Sequence, residues 1–104
     1  MNRRHKYGAV PTVVDGHRFA SKRESRAYLA LRELVKAGNI TDLQLQPRFR
    51  LLVNGVHVCT YVADFEWVQN GMRVVADSKG VKTPVYKLKK ALMRACLGIE
   101  IVEL

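Results

Sequence analysis

Asn70-Gly71 separates two runs rich in β-branched and aromatic residues, Tyr61 to Val68 and Met72 to Lys79. Asn-Gly tolerates the positive φ angles of a two-residue hairpin turn, so this pair commits the chain to an antiparallel hairpin. With Asn70 and Gly71 as the turn, Gln69 faces Met72. Counting outward along both strands then places Asp64 directly opposite Asp77. A three-residue loop would shift the register and break that pairing.

The 72–79 run ends in Val74-Val75-Ala76-Asp77-Ser78-Lys79, followed by Gly80. Side chains alternate along a strand, so Asp77 and Lys79 share a face and Ser78 points away from it. A carboxylate and an ammonium at the end of an apolar strand are costly to bury without a purpose. A carboxylate that holds a divalent cation, beside a lysine that meets charge developing on a phosphate, supplies one. Directly opposed residues lie on one face, so Asp64 and Glu66 join Asp77 and Lys79 there. Opposed like charges destabilise a sheet unless a cation neutralises them. Glu66 lies nearer the turn and ranks below Asp64 as a ligand.

A third acid comes from the first helix, expected over roughly 22–37 and stopped by Gly38. Ser21 and Glu24 have the spacing of a capping box, which is one reading of Glu24. Glu24, Tyr28, Leu31 and Val35 also recur at helical intervals on one face, which puts Glu24 at the end of the apolar stripe. That position suits a metal ligand.

At 104 residues the chain is expected to form one domain, 12–104, behind a basic N-terminal arm over 1–11 in which Tyr7 and Val10 are candidates to pack. No run of about 18 apolar residues exists, so no membrane span is expected, and the basic start lacks the apolar region of a signal peptide. Cys59 and Cys96 lack metal-ligand spacing; a reduced cytoplasmic pair of buried thiols is the favoured reading and a disulfide the alternative. His5, His17 and His57 read as surface or turn residues. Lysine and arginine outnumber acids 18 to 9, a formal charge of +9. A polyanion accounts for that excess, nucleic acid first and an acidic membrane surface second.

Along the chain, Asp15-Gly16 predicts a small hairpin over 13–19. Residues 40–45 form a short strand broken at Pro47. Asn54-Gly55 joins strands 48–53 and 56–68. Thr83-Pro84 opens a second helix over about 84–97 that ends at Gly98, and 99–104 is a closing strand. In this helix Val85, Leu88, Leu92, Ala95 and Cys96 make an apolar stripe. Lys87, Lys90 and Arg94 fall on another face, with Lys89 between. Those bases read either as a solvated face or as phosphate contacts, the latter favoured by the total charge and the helix N-terminus after Lys79. Lys22, Arg23 and Lys82 complete the candidate nucleic-acid contacts. Gln44 and Gln46 fit polar edge-strand positions, near enough to the site to touch a nucleic acid. Trp67 reads as core, and Tyr86 as either packing or a phosphate contact.

Glu24, Asp64 and Asp77-Ser78-Lys79, set on a helix–three antiparallel strands–helix–strand order, resemble the PD-(D/E)xK nuclease superfamily. Nearly the whole chain looks like one of its small phage-encoded endonucleases. The similarity is carried by Tyr7-Gly8, the Asp15-to-Glu24 segment, Tyr61-Val62-Ala63-Asp64-Phe65, Lys79-Gly80 and Thr83-to-Lys89. Two positions depart from the pattern: Ala63 replaces the superfamily's proline, and Asp77 its commoner glutamate.

The resemblance implies an α/β (α+β), restriction-endonuclease-like core and Mg²⁺-dependent hydrolysis of DNA phosphodiesters, with Mn²⁺ as a substitute ion. It implies Asp64 and Asp77 as metal ligands, the Ser78 carbonyl as a further one, and Glu24 as a direct or water-mediated ligand. Lys79 would orient water or stabilise transition-state charge. Oxygen donors of this kind suit Mg²⁺ or Mn²⁺. The expected setting is the cytoplasm of a phage-infected or lysogenic bacterium, with branched DNA an attractive substrate and a homodimer an attractive assembly. The competing expectations are a non-catalytic basic nucleic-acid-binding protein and an adaptor that inhibits a host DNA enzyme.

Overall fold

The structure is a computed structural model and describes residues 11–104; the basic arm, with His5, Tyr7 and Val10, falls almost wholly outside it. The chain runs β1 (Thr12–Val14), β2 (His17–Phe19), α1 (Lys22–Lys36), β3 (Thr41–Leu45), β4 (Arg48–Val53), β5 (Val56–Val62), β6 (Phe65–Gln69), β7 (Met72–Asp77), α2 (Pro84–Leu97) and β8 (Ile101–Glu103). It is a mixed α+β protein.

All three expected hairpin turns form. Asn70 and Gly71 take φ of 53° and 74°, the left-handed pair that matches the twist of the flanking strands. Gln69 faces Met72 and Phe65 faces Ala76, the register counted from the turn.

The main sheet has the order β3-β6-β7-β8, with β3, β6 and β7 antiparallel and β8 parallel to β7. Helix α2 makes the crossover that a parallel pair requires. Two expectations need correction. Residues 56–68 are not one strand, because the chain bends at Ala63-Asp64. Its neighbour bends at the same level, at Gln46-Pro47. The Gln46 N–H donates to the Asp64 carbonyl at 2.9 Å and the Ala63 N–H to the Pro47 carbonyl at 3.1 Å. Beyond this double bend β4 and β5 leave the main sheet as a separate ribbon, so the third antiparallel strand of the main sheet is β3 rather than β4. Pro47 explains the break on its side: it has no N–H to donate to a ladder.

The main sheet separates two apolar clusters. Phe49, Leu51, Tyr61, Val75, Met93 and Ile101 pack between sheet, ribbon and α2. Phe19, Tyr28, Leu31, Ile40, Phe65, Trp67 and Ala76 pack around α1 on the other face. Adjacent residues of β7, Val75 and Ala76, thus serve opposite cores, as a pleated strand requires. In α1 the predicted stripe is buried at Glu24, Tyr28 and Leu31, whereas Val35 is exposed.

The inward face of α2 keeps only part of the predicted stripe: Leu92 and Cys96 pack against the core. Tyr86 and Met93 are buried, while Val85 and Leu88 are each 62% exposed. Cys59 and Cys96 are free thiols, both half-buried. Among the described residues no helix is long and apolar enough to cross a membrane.

Candidate functional site

The double bend and the end of β7 bring Asp64 and Asp77 together. The Asp64 N–H donates to Asp77 Oδ1 at 2.9 Å, and the Ser78 N–H donates to Asp64 Oδ2 at 2.7 Å. Each carboxylate thus fixes the backbone that carries the other. This exchange extends the hairpin register one step past the ladder, into the bend where main-chain pairing stops.

Asp77 is completely buried, and its second oxygen, Oδ2, has no hydrogen-bond partner. An unpartnered buried polar atom costs about 1–3 kcal/mol, and more when charged. Burial raises the Asp77 pKa, a shift that Lys79 and the Asp64 N–H oppose and the Glu103 charge adds to. Asp64 is raised for the same first reason, against the Ser78 N–H and Lys79.

Glu24 approaches from α1. Ser21 caps that helix by accepting from the Glu24 N–H at 3.2 Å, so the backbone of the capping box is present. The Glu24 side chain is buried, and its pKa is pushed up to about 7. Burial is the main cause and the Asp64 charge the next; Lys79 opposes both and Asp77 adds to them. Glu24 therefore feels both aspartates and the lysine across the space between α1 and the sheet. All three acids are destabilised as anions, which is the electrostatic state a divalent cation relieves.

Lys79 is held from α2. Its Nζ lies 5.5 Å from the centroid of the Tyr86 ring, within cation–π range. The Tyr86 hydroxyl donates to Glu103 Oε2 at 2.8 Å, and Glu103 also pairs with Lys82 at 3.0 Å and Lys90 at 3.2 Å. These contacts lower the Glu103 pKa to about 2, the Tyr86 hydroxyl being the main cause. Glu103 was not among the sequence-predicted site residues. Its signal is the register of the parallel pair, which sets it beside Asp77 on β8.

The candidate basic residues fall into two groups. Lys82 and Lys90 are tied to Glu103, Arg94 pairs with Glu100 at 3.3 Å, and Lys89 donates to the Thr60 carbonyl at 3.3 Å. Lys22, Arg23 and Lys87 are exposed and form no ion pair with the described acids. Arg23 reaches across to the segment after Lys79: its Nε would lie 3.8 Å from a methyl group placed on Gly80. Glu66 is engaged elsewhere, in a two-pronged pair with Arg73 at 2.8 and 3.1 Å.

A family described as "protein of unknown function (DUF1064)" matches residues 4–97. The chain is a member of the DUF1064 family. No curated protein and no solved structure shows a significant match to it.

In this DUF1064 protein the site's donors are all hard oxygens: the carboxylates of Asp64, Asp77 and Glu24, and the carbonyl of Ser78. Such a set fits Mg²⁺ or Mn²⁺ and excludes a soft-metal thiolate centre. The free Asp77 Oδ2 is the donor with no other employment. Among the described residues no three His, Cys, Asp or Glu side chains stand in a ready-made ligand cluster. The aspartates interlock through the two hydrogen bonds, and Glu24 is coupled to them through its charge.

Proposed function

We propose that this protein is a metal-dependent endodeoxyribonuclease of the PD-(D/E)xK type with a restriction-endonuclease-like core, acting on branched or otherwise structured DNA. The observation that carries this reading is the interlocked Asp64–Asp77 pair with its buried, unpartnered carboxylate oxygen, beside a lysine. Asp64 and Asp77 would hold the ion, assisted by the Ser78 carbonyl and by Glu24. Bound Mg²⁺ would polarise the phosphate and lower the pKa of a coordinated water. The Lys79 ammonium, oriented by the Tyr86 ring, would stand against negative charge on the phosphate oxygens. A chain of this size has little material for reading base edges in a groove, which favours recognition of DNA structure over sequence.

The competing reading is a basic nucleic-acid-binding protein without catalysis. It is favoured by the lack of a ready-made three-ligand cluster among the described residues and by the two carboxylate oxygens already accepting N–H groups. Supercoiled plasmid incubated with Mg²⁺ or Mn²⁺ decides between them. The nuclease reading expects nicking by the wild type and its loss in Asp77→Ala and Asp64→Ala, with DNA affinity equal or tighter because negative charge is removed. A wild type that binds plasmid and never nicks it establishes the competing reading.

A further inference from the structure

Gln46 sits at the double bend with φ of 52°. The other described non-glycine residues with positive φ are Asp15, Asp42, Asn54 and Asn70, whose short polar side chains favour that region. Glutamine lacks this advantage, and a glycine would adopt the conformation freely. Retained strain of this kind concentrates where a side chain has a task. Here it lies one hydrogen bond from the site, because the Gln46 N–H donates to the Asp64 carbonyl.

Beside Gln46 opens a groove of about 690 Å³, lined by His17, Tyr28, Leu43, Gln44, Leu45 and Gln46. Its volume lies in the range of small-molecule pockets. Two elements join it to the acidic site: Tyr28 is one helical turn after Glu24 on α1, and Gln46 precedes the bend shared with Asp64. One wall is aromatic, with the His17 ring edge-on to Tyr28 at a centroid distance of 5.7 Å. The Tyr28 hydroxyl is already committed to Asp15 at 2.9 Å. The leucines add apolar surface, and the exposed Gln46 supplies an amide with both donor and acceptor. Gln44 is opposite Glu66 on β6, so alternation puts its side chain on the sheet face away from α1. Gln46 lies past the end of β3, where its positive φ breaks that alternation, and it lines the groove.

An exposed aromatic ring next to a donor–acceptor amide matches a nucleobase. A base still paired in a duplex has its hydrogen-bonding edge occupied and its faces stacked, so it cannot enter such a groove. We propose that the groove receives an unpaired base of the DNA strand whose backbone passes the carboxylates, with the His17 ring as stacking surface and the Gln46 amide against the base edge. This rests on the nuclease reading for its substrate and names the feature of that substrate that is read: a base freed from its partner.

The test is equilibrium binding in metal-free buffer, where no cleavage intervenes, to two duplexes of equal length, one fully paired and one with a short single-stranded gap. The wild type is expected to prefer the gapped duplex. Gln46→Gly and His17→Ala are each expected to reduce that preference about tenfold, the scale of one lost base contact, with affinity for the paired duplex unchanged. Gln46→Gly should melt at the wild-type temperature or above it, since glycine relieves the strained φ. Variants that keep the wild-type preference, a wild type without preference, or one that binds neither DNA would overturn the assignment. Gln46-dependent preference for gapped DNA, without nicking of plasmid by Mg²⁺ or Mn²⁺, would keep the groove and discard the nuclease. Nicking that persists while Gln46→Gly leaves the preference intact would do the reverse.

Discussion

Glu24 is a capping-box residue in its backbone and a site acid in its side chain, and only the second role has a pH signature. Its folded pKa of about 7 lies above the ordinary glutamate value of 4.5. Folding therefore favours the protonated form. The stability this contributes is complete below about pH 4.5 and is lost as pH rises toward 7. Asp64 and Asp77 are raised too and act in the same direction. Glu103 has the opposite sign: lowered to about 2, it stabilises above its unfolded pKa and is lost only as pH falls toward 2. Metal-free protein is accordingly expected to lose stability between pH 4.5 and 7, Glu24 accounting for on the order of 2–3 kcal/mol. Urea titrations across that interval measure it, and Glu24→Gln should flatten the profile. Saturating Mg²⁺ should restore stability at pH 7 in the wild type and not in Asp77→Ala, because only an ion bound to the folded state shifts the equilibrium. A flat metal-free profile would show that Glu24 is solvated like any surface acid.

At the scale of elements, what was legible followed from local rules. Three Asx-Gly pairs gave three hairpins, Ser21 and Thr83 gave two helix starts, and the Asn70-Gly71 count gave the opposition of Asp64 and Asp77. What was not legible depended on partners remote in sequence. Periodicity on α2 gave one apolar stripe, Val85, Leu88, Leu92, Ala95 and Cys96, of which Leu92 and Cys96 pack against the core. The ribbon and β8 also draw in Tyr86 and Met93 in place of Val85 and Leu88, with Lys89 and Lys90 half-buried between them, because Thr60 and Glu103 satisfy those amines. A single-sequence count cannot see such partners. The bend at Ala63-Asp64 was hidden for a similar reason: its cause, Pro47, lies on the neighbouring strand. The α2 assignment has a direct mutational check. Met93→Ala is expected to cost about 2–5 kcal/mol, as truncation of a buried side chain does. Leu88→Gln is expected to stay within about 0.5 kcal/mol of wild type, as an exposed substitution does. The reverse ranking in chemical denaturation would restore the predicted stripe as the core face.

Across the whole molecule the charges sort themselves. Of the nine acids, Asp15, Glu33, Glu66, Glu100 and Glu103 form ion pairs, and Glu24, Asp64 and Asp77 meet at the candidate site, which leaves Asp42. The cations those pairs use are Arg32, Lys36, Arg73, Lys82, Lys90 and Arg94. The described cations outside any ion pair include Arg18, Lys22, Arg23 and Arg26, which flank Glu24 along β2 and the first turns of α1. On α2, Lys87 is the exposed lysine outside any ion pair, so the α1 end supplies more of the free charge that would attract a phosphate backbone. Salt titration of DNA binding separates these two geometries. Each phosphate contact contributes about 0.9 to the slope of log K against log salt on duplex DNA. Lys22→Gln and Arg23→Gln should each lower the slope by about 1. Lys82→Gln and Lys90→Gln should each lower it by less, because both amines share the Glu103 carboxylate. Slope losses confined to the α2 lysines would move the DNA path to the other side of the sheet and detach it from the carboxylates.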